Sequence, residues 1–241
     1  MLIAILRSIA AYLFVSLYVV IVGTPLIALA LVVRSPAILY WAGLAGIRGG
    51  MLLSGISYRV EGADRIIRGR PAVYAVNHAS NLEPPIAFAA LSSLFPRLAI
   101  LYKAELRKLP ILVWGLDLAG FVPIERGNRE QSLPAIDRAA DAMRRGVSFL
   151  IFPEGTRSRT GELLPFKKGG FILALKAGAP IVPVAIKGAR EAMRKGSPVI
   201  HPVTARVAFG QPIETSGMTI DDRDRLIADV RGQIVGMLEK I

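Results

Sequence analysis

Cysteine is absent from the 241-residue chain. Disulfides, thiolate metal sites and a cysteine nucleophile carrying an enzyme-bound thioester are therefore excluded. Histidine is almost as scarce: only His78 and His201 occur, too few for a multi-histidine zinc site, and no metal is expected. Aromatic residues make up 7% and charged residues 20%, against 53% hydrophobic, which is the reverse of a disordered composition. Acids are missing altogether from the first 60 residues, where the only charges are Arg7, Arg34, Arg48 and Arg59.

What is present is apolar and basic. Mean hydropathy is +0.48 and the pI about 10.5, and 30 Lys and Arg against 18 Asp and Glu leave a net charge of +12. Such a surplus attracts polyanions: nucleic acid, anionic lipid headgroups, phosphorylated metabolites or an acidic carrier protein. Few aromatics interleave the cations and no nucleic-acid-reading motif is found, so no nucleic acid is expected as partner.

Residues 8–33 are an unbroken run of 26 uncharged residues. As a helix the run reaches about 39 Å, longer than the roughly 30 Å hydrocarbon core of a bilayer. It is too long, and followed by too much apolar sequence, for a cleaved signal peptide. Membrane attachment is expected, with Pro25 leaving both a spanning helix and a re-entrant hairpin open. Three arginines follow the run and one precedes it, which points to the cytoplasmic face of the inner or plasma membrane.

Beyond about residue 60 the pattern is α/β. Short Val-, Ile- and aromatic-rich runs predict buried strands at 72–76, 98–102, 147–152, 181–186 and 205–209. Helical spacing predicts helices from Ser132 to about Arg145, from Lys168 to Gly178, and from about Asp221 onward. The expectation is a mixed, largely parallel sheet flanked by helices. It divides the chain into a membrane-embedded helical segment, 1–60, and one catalytic domain, 61–241.

Ligands of open parallel sheets gather at the carboxyl ends of strands. The strand at 72–76 runs into Asn77-His78-Ala79-Ser80-Asn81-Leu82-Glu83-Pro84-Pro85, which places an imidazole there with a carboxylate five residues on. A turn that folds Glu83 onto His78 fixes the ring's tautomer and leaves the other nitrogen to accept a proton. The bland alternative is a loop histidine bonded to backbone beside a solvated acid. Ser80 reads either as a nucleophile activated by His78 or as a helix cap. After another strand end comes Phe152-Pro153-Glu154-Gly155-Thr156-Arg157. There glycine permits close approach, threonine offers a hydroxyl and arginine a bidentate fork, a set suited to a phosphate monoester. Lys103 and Arg126 follow other strands and can converge on the same anion.

Four blocks together resemble the 1-acylglycerol-3-phosphate acyltransferase family: NHASNLEPP at 77–85, the segment from Lys103 to Gly127, FPEGTRSRTGELLPFKKGG from Phe152 to Gly170, and IVPVAIKG from Ile181 to Gly188. The resemblance implies a glycerolipid acyltransferase-like fold, with His78 as general base and Glu83 as the acid that orients it. It also implies acceptor phosphate and glycerol binding by Lys103, Arg126, Glu154, Gly155, Thr156 and Arg157, and an acyl-donor region around Val182 and Pro183. One departure is that the family's usual aspartate is here Glu83.

The implied reaction transfers a fatty acyl group from acyl-CoA or acyl carrier protein to the sn-2 hydroxyl of lysophosphatidate, with no bound cofactor and with anionic membrane lipids as partners. Acylation of another lysophospholipid or lyso-aminolipid, and a non-catalytic lipid-binding module of the same fold, are the alternatives. The sequence does not fix the oligomeric state.

Overall fold

A computed structural model describes residues 1–108, 110–125 and 129–241, with the side chains of 110–112 and 129–132 also left out of the description. The chain opens with α1 (Leu2–Tyr18) and, after a wide turn at Val19–Gly23, α2 (Thr24–Val33). The widening lies just ahead of Pro25, which has no N–H to donate and whose ring crowds the carbonyl one turn back. Helical dihedrals persist through this turn, so the run stays one rod of 32 residues. Arg34, left-handed at φ 52°, reverses the chain into α3 (Pro36–Ser54), which begins on a proline suited to a first helical turn.

The two arms pack closely because α3 presents glycine. A Cβ on Gly46 would meet the Tyr18 ring at 2.8 Å, and one on Gly49 the Phe14 ring at 2.4 Å.

The α/β part follows as β1 (Ile56–Glu61), β2 (Val73–Val76), α4 (Glu83–Ala90), β3 (Leu98–Lys103), α5 (Pro110–Leu118), β4 (Val122–Ile124), α6 (Arg129–Arg144), β5 (Ser148–Ile151), α7 (Gly169–Ala177), β6 (Ile181–Lys187), α8 (Ala189–Ala192), β7 (Val203–Phe209) and α9 (Arg223–Lys240). The strands make one sheet in the order β1-β7-β6-β2-β5-β3-β4. All neighbours are parallel except β6 and β7, so the sheet is mixed and largely parallel, as expected.

Alternation along β2 sorts the two faces. Tyr74 and Val76 pack with Tyr40 and Met51 of α3 and Ile86 and Phe88 of α4. Val73 and Ala75 point the other way, toward α6, α7 and α9 through Ala139, Phe171 and Val230. α3 is therefore part of the core: Tyr40 is 2% exposed, and its hydroxyl donates to the carbonyls of Leu98 and Ala119 at 2.5 and 3.0 Å.

α1 is tied to the domain too, since the Ser8 hydroxyl accepts the Ile200 N–H at 2.7 Å and the Tyr12 hydroxyl donates to the Pro198 carbonyl at 2.8 Å. Five residues assigned by sequence to the apolar segment, 56–60, belong instead to edge strand β1, which pairs with β7. The helix expected from Ser132 begins three residues earlier, at Arg129, and Pro134 does not stop it.

Candidate active site

β2, β5, β3 and β6 all end on the same edge of the sheet, and the motif residues leave from those ends. Asn77 closes the first exit. Its amide brackets Ile186 of β6, Nδ2 donating to the Ile186 carbonyl at 3.0 Å and Oδ1 accepting its N–H at 2.7 Å. The chain then turns so that Glu83, first residue of α4 and 1% exposed, reaches back into the loop. One oxygen, Oε2, accepts the N–H groups of Ala79 and Ser80 at 2.7 and 3.0 Å and lies 3.0 Å from His78 Nδ1. An ionised carboxylate only accepts, which assigns the ring proton to Nδ1 and leaves a lone pair on Nε2. Burial pushes the Glu83 carboxyl above the usual carboxylate range, against the hydrogen bonds from His78, Ser80 and Ala79 that pull it down.

The loop after β5 locks onto His78 from the other side. Glu154, 3% exposed, accepts the His78 N–H at 2.5 Å through Oε1 and the Leu164 N–H at 2.9 Å through Oε2. Ser158 N–H donates to the His78 carbonyl at 2.8 Å. Phe152 lies against the imidazole, ring centroids 4.5 Å apart. Backbone N, backbone O and Nδ1 of His78 are thus all engaged. Nε2 is the one polar atom of this residue without a hydrogen-bond partner among the described residues.

The other motif residues divide. Glu154 is spent on backbone: it braces the two loops, and burial raises its carboxyl while the N–H groups of Leu164 and His78 lower it. Gly155, at φ 67°, turns the chain where a Cβ would meet the Lys167 side chain at 2.8 Å. Thr156 is exposed and Arg157 half-buried, and neither side chain has a hydrogen-bond partner among the described residues. Lys103 ends β3, next to β5, with its ammonium 2.8 Å from Glu105. Arg126 lies outside the described residues.

Val182 and Pro183 sit inside β6 opposite Tyr74 and Ala75, and both are buried. The Ser80 hydroxyl donates to the Met193 carbonyl at 2.8 Å and accepts the Leu82 N–H at 3.1 Å, which is the capping-type reading and not that of a nucleophile aimed at His78.

Beside the loop opens an apolar cavity of about 630 Å³. Asn81, Leu82 and Pro85 line one part, and Tyr18, Ile27, Leu39 and Gly43 of the helical hairpin another. A second hollow, about 660 Å³ and lined by charged groups such as Arg107, Asp117 and Arg138, lies at the β4 edge and, among the described residues, includes none of the expected site residues.

The family model described as Acyltransferase matches residues 57–187, more than half of the chain. The chain belongs to the acyltransferase family. This acyltransferase-family chain is 35% identical to a 1-acyl-sn-glycerol-3-phosphate acyltransferase of Limnanthes douglasii, over 76% of its own length and 65% of the relative's. It is 34% identical to the chloroplastic 1-acyl-sn-glycerol-3-phosphate acyltransferase BAT2 of Brassica napus, over 59% of its length and 41% of the relative's. It therefore spans only about two fifths to just under two thirds of these relatives. Its fold is that of the 1-acyl-sn-glycerophosphate (LPA) acyltransferase PlsC from Thermotoga maritima, with TM-score 0.82 at 23% identity over 99% of this chain and 97% of that one. The match to the family model begins one residue into β1, so the hairpin lies outside it, as does everything after β6.

Proposed function

We propose that the chain is a membrane-attached acyltransferase moving a fatty acyl group from an acyl thioester, acyl-CoA or acyl carrier protein, to the sn-2 hydroxyl of lysophosphatidate, giving phosphatidate for phospholipid synthesis. The observation that carries this reading is the free Nε2 of His78, backed by Glu83 at 3.0 Å and held by both motif loops. Nε2 takes the hydroxyl proton as the oxygen attacks the thioester carbonyl. The tetrahedral intermediate collapses, the carbon–sulfur bond breaks, and the proton passes from Nε2 to the departing thiolate. No acyl-enzyme is needed: cysteine is absent and the Ser80 hydroxyl is already engaged. Thr156, Arg157, Lys103 at the end of the neighbouring strand β3, and Arg126 hold the acceptor's phosphate.

An acyl chain occupies the apolar cavity beside Asn81 and Leu82. Two apolar helices long enough to cross a membrane support attachment, and the 32-residue one is only 6% buried over its most apolar stretch. Both arms fold along the domain, α2 reaching α5 where Gly115 faces Ile27. That favours a re-entrant hairpin in one leaflet, with the net charge of +12 drawing the domain to anionic lipid on the cytoplasmic face.

The test is product formation in lipid nanodiscs, supplying both donors and a panel of lyso-acceptors. Lysophosphatidate is expected to be the preferred acceptor. His78→Ala should lower kcat by about 10²–10⁴, and Arg157→Ala should act mainly on the KM for the acceptor. Undiminished phosphatidate formation by His78→Ala would refute the mechanism, and preference for another lyso-acceptor would replace the substrate.

A further inference from the structure

On the acyl-thioester reading proposed above, we infer that Arg159, Arg190, Arg194 and Lys195 form a separate anion site that receives the phosphate of the donor's phosphopantetheine arm. Three of the four lie beyond the segment matched by the family model, in and after α8. They meet Arg159 because the α8 end and the loop after β5 are laced together. Arg190 Nη2 donates to the Arg159 carbonyl at 3.0 Å, and Lys195 Nζ to the Arg157 carbonyl at 2.9 Å. Gly161, left-handed at φ 96°, makes room for this crossing, since a Cβ there would come within 3.0 Å of Arg190 Cδ.

The four also carry uncompensated charge. Some surface cations are neutralised in place, as Arg70 is by Glu214 and Lys176 by Asp137, but with 30 Lys and Arg against 18 Asp and Glu others go unpaired. Among the described residues no carboxylate is within ion-pair distance of Arg159, Arg190, Arg194 or Lys195, although Glu162 and Glu191 are close in sequence. Unneutralised cations held beside one another repel, and an anion bridging them removes that cost. Arg190 and Lys195 are each half-buried and anchored through a carbonyl, so their remaining N–H donors are already placed.

Position selects the anion. Ser158, beside Arg159, donates to the His78 carbonyl, and Met193, beside Arg194, accepts from the Ser80 hydroxyl. The cluster thus lies one layer out from the imidazole, where α8 and the chain after β6 meet the loop after β5, whereas Lys103 ends β3. An acceptor phosphate close to its reacting hydroxyl belongs near Arg157. A donor phosphate stands off from its thioester by the length of the pantetheine chain and needs cations farther out. Coenzyme A and acyl carrier protein share that group.

The experiment uses the full chain in nanodiscs, comparing wild type with Arg190→Gln/Arg194→Gln, whose neutral side chains keep most of the original bulk and leave the Lys195 contact to the Arg157 carbonyl in place. Binding of coenzyme A itself is measured first, and loss of about tenfold or more in affinity is expected, as for removal of charge-assisted hydrogen bonds. In turnover, the KM for acyl-CoA should rise by a similar factor while the KM for lysophosphatidate stays put, and the penalty should vanish with S-acyl pantetheine, which has no phosphate. Equal penalties with acyl-CoA and acyl carrier protein support the shared phosphate. A penalty with acyl-CoA alone supports the donor site but assigns its nucleotide phosphates.

Unchanged coenzyme A affinity would overturn the site. So would a rise confined to the KM for lysophosphatidate, or weakened flotation with anionic vesicles while donor binding is intact. Coenzyme A binding that weakens in the variant when the wild type transfers no acyl group would leave the site standing and defeat only the proposed reaction.

Discussion

Replacing Glu83 by glutamine isolates the electrostatic part of the proposed mechanism, because the amide oxygen can occupy the place of Oε2 without its charge. When Nε2 takes the substrate proton the ring becomes a cation 3.0 Å from that oxygen. At an effective dielectric constant near 20, two unit charges at this separation attract by about 5 kcal/mol. Partial charge in the transition state and the open side of the imidazole, 13% exposed, reduce this to roughly 3–5 kcal/mol, or about 10²–10⁴ in kcat.

Glu83→Asp keeps the charge and tests geometry instead. It withdraws the carboxylate by about one carbon–carbon bond, ~1.5 Å, so bonds now at 2.7–3.0 Å open past hydrogen-bonding range unless α4 shifts. The Ala79 and Ser80 N–H groups then lose their acceptor in a buried loop, at about 1–3 kcal/mol each. We expect kcat to fall by roughly 10–100-fold and Tm to drop. Thiol release followed with a chromogenic thiol reagent is a clean assay, since the protein itself has no thiol. Glu83→Gln within threefold of wild type would refute the electrostatic reasoning. Glu83→Asp equal to wild type in both kcat and Tm would refute the geometric one.

Glu154→Gln probes the brace between the loops. Burial raises this carboxyl, so the folded protein holds its proton more tightly than the unfolded chain. Its contribution to stability therefore falls as pH rises from the ordinary carboxylate value, about 4.3, through the raised one. The variant lacks that dependence, so thermal unfolding across pH should show the gap between wild type and Glu154→Gln narrowing toward neutrality; a widening gap contradicts the assignment. Gly43 lines the apolar cavity and a Cβ there meets nothing within 4 Å, so Gly43→Leu should fit and shorten the space. Acyl-length competition should then shift toward shorter chains, each excluded methylene costing about 0.8 kcal/mol. Gly49→Ala would drive a Cβ to 2.4 Å from the Phe14 ring and should cost about 1–3 kcal/mol as α1 and α3 part, read as a lower Tm.

The buried strands were legible because continuous apolar runs bounded by turn residues have few other uses: β2, β3, β5 and β6 fall within a residue of their expected positions, and β7 begins two residues earlier. β1 was not, because an edge strand exposing Ser57, Arg59 and Glu61 lacks that signature and follows directly on the apolar segment. β4 has three residues, one of them proline, too little for any periodicity. The Glu83-to-His78 contact was legible because a turn of five residues leaves few ways to place an acid that begins a helix. The role of Glu154 was not. A glutamate between proline and glycine reads as an exposed loop acid, and only the folded arrangement shows both oxygens turned inward onto the N–H groups of His78 and Leu164.

The same difference explains why the hairpin reads as an anchor in sequence and as part of the domain in structure. Hydropathy registers that residues 8–33 avoid water but not what they face. The contacts that decide this are long-range: Ser8 with Ile200, Tyr40 with Leu98, Ile27 beside Gly115. Through them the hairpin supplies one wall of the cavity, and α4, whose first residue orients His78, supplies another. Movement of α3 away from α4 would open the cavity and disturb the start of the helix that carries Glu83. Cutting away the first 54 residues therefore removes more than an anchor: it strips the cover from Phe88 and uncovers the Tyr74 and Val76 face of the sheet. An acyltransferase assembled in this way cannot be separated from its N-terminal hairpin without losing the packing around the helix whose first residue, Glu83, holds His78.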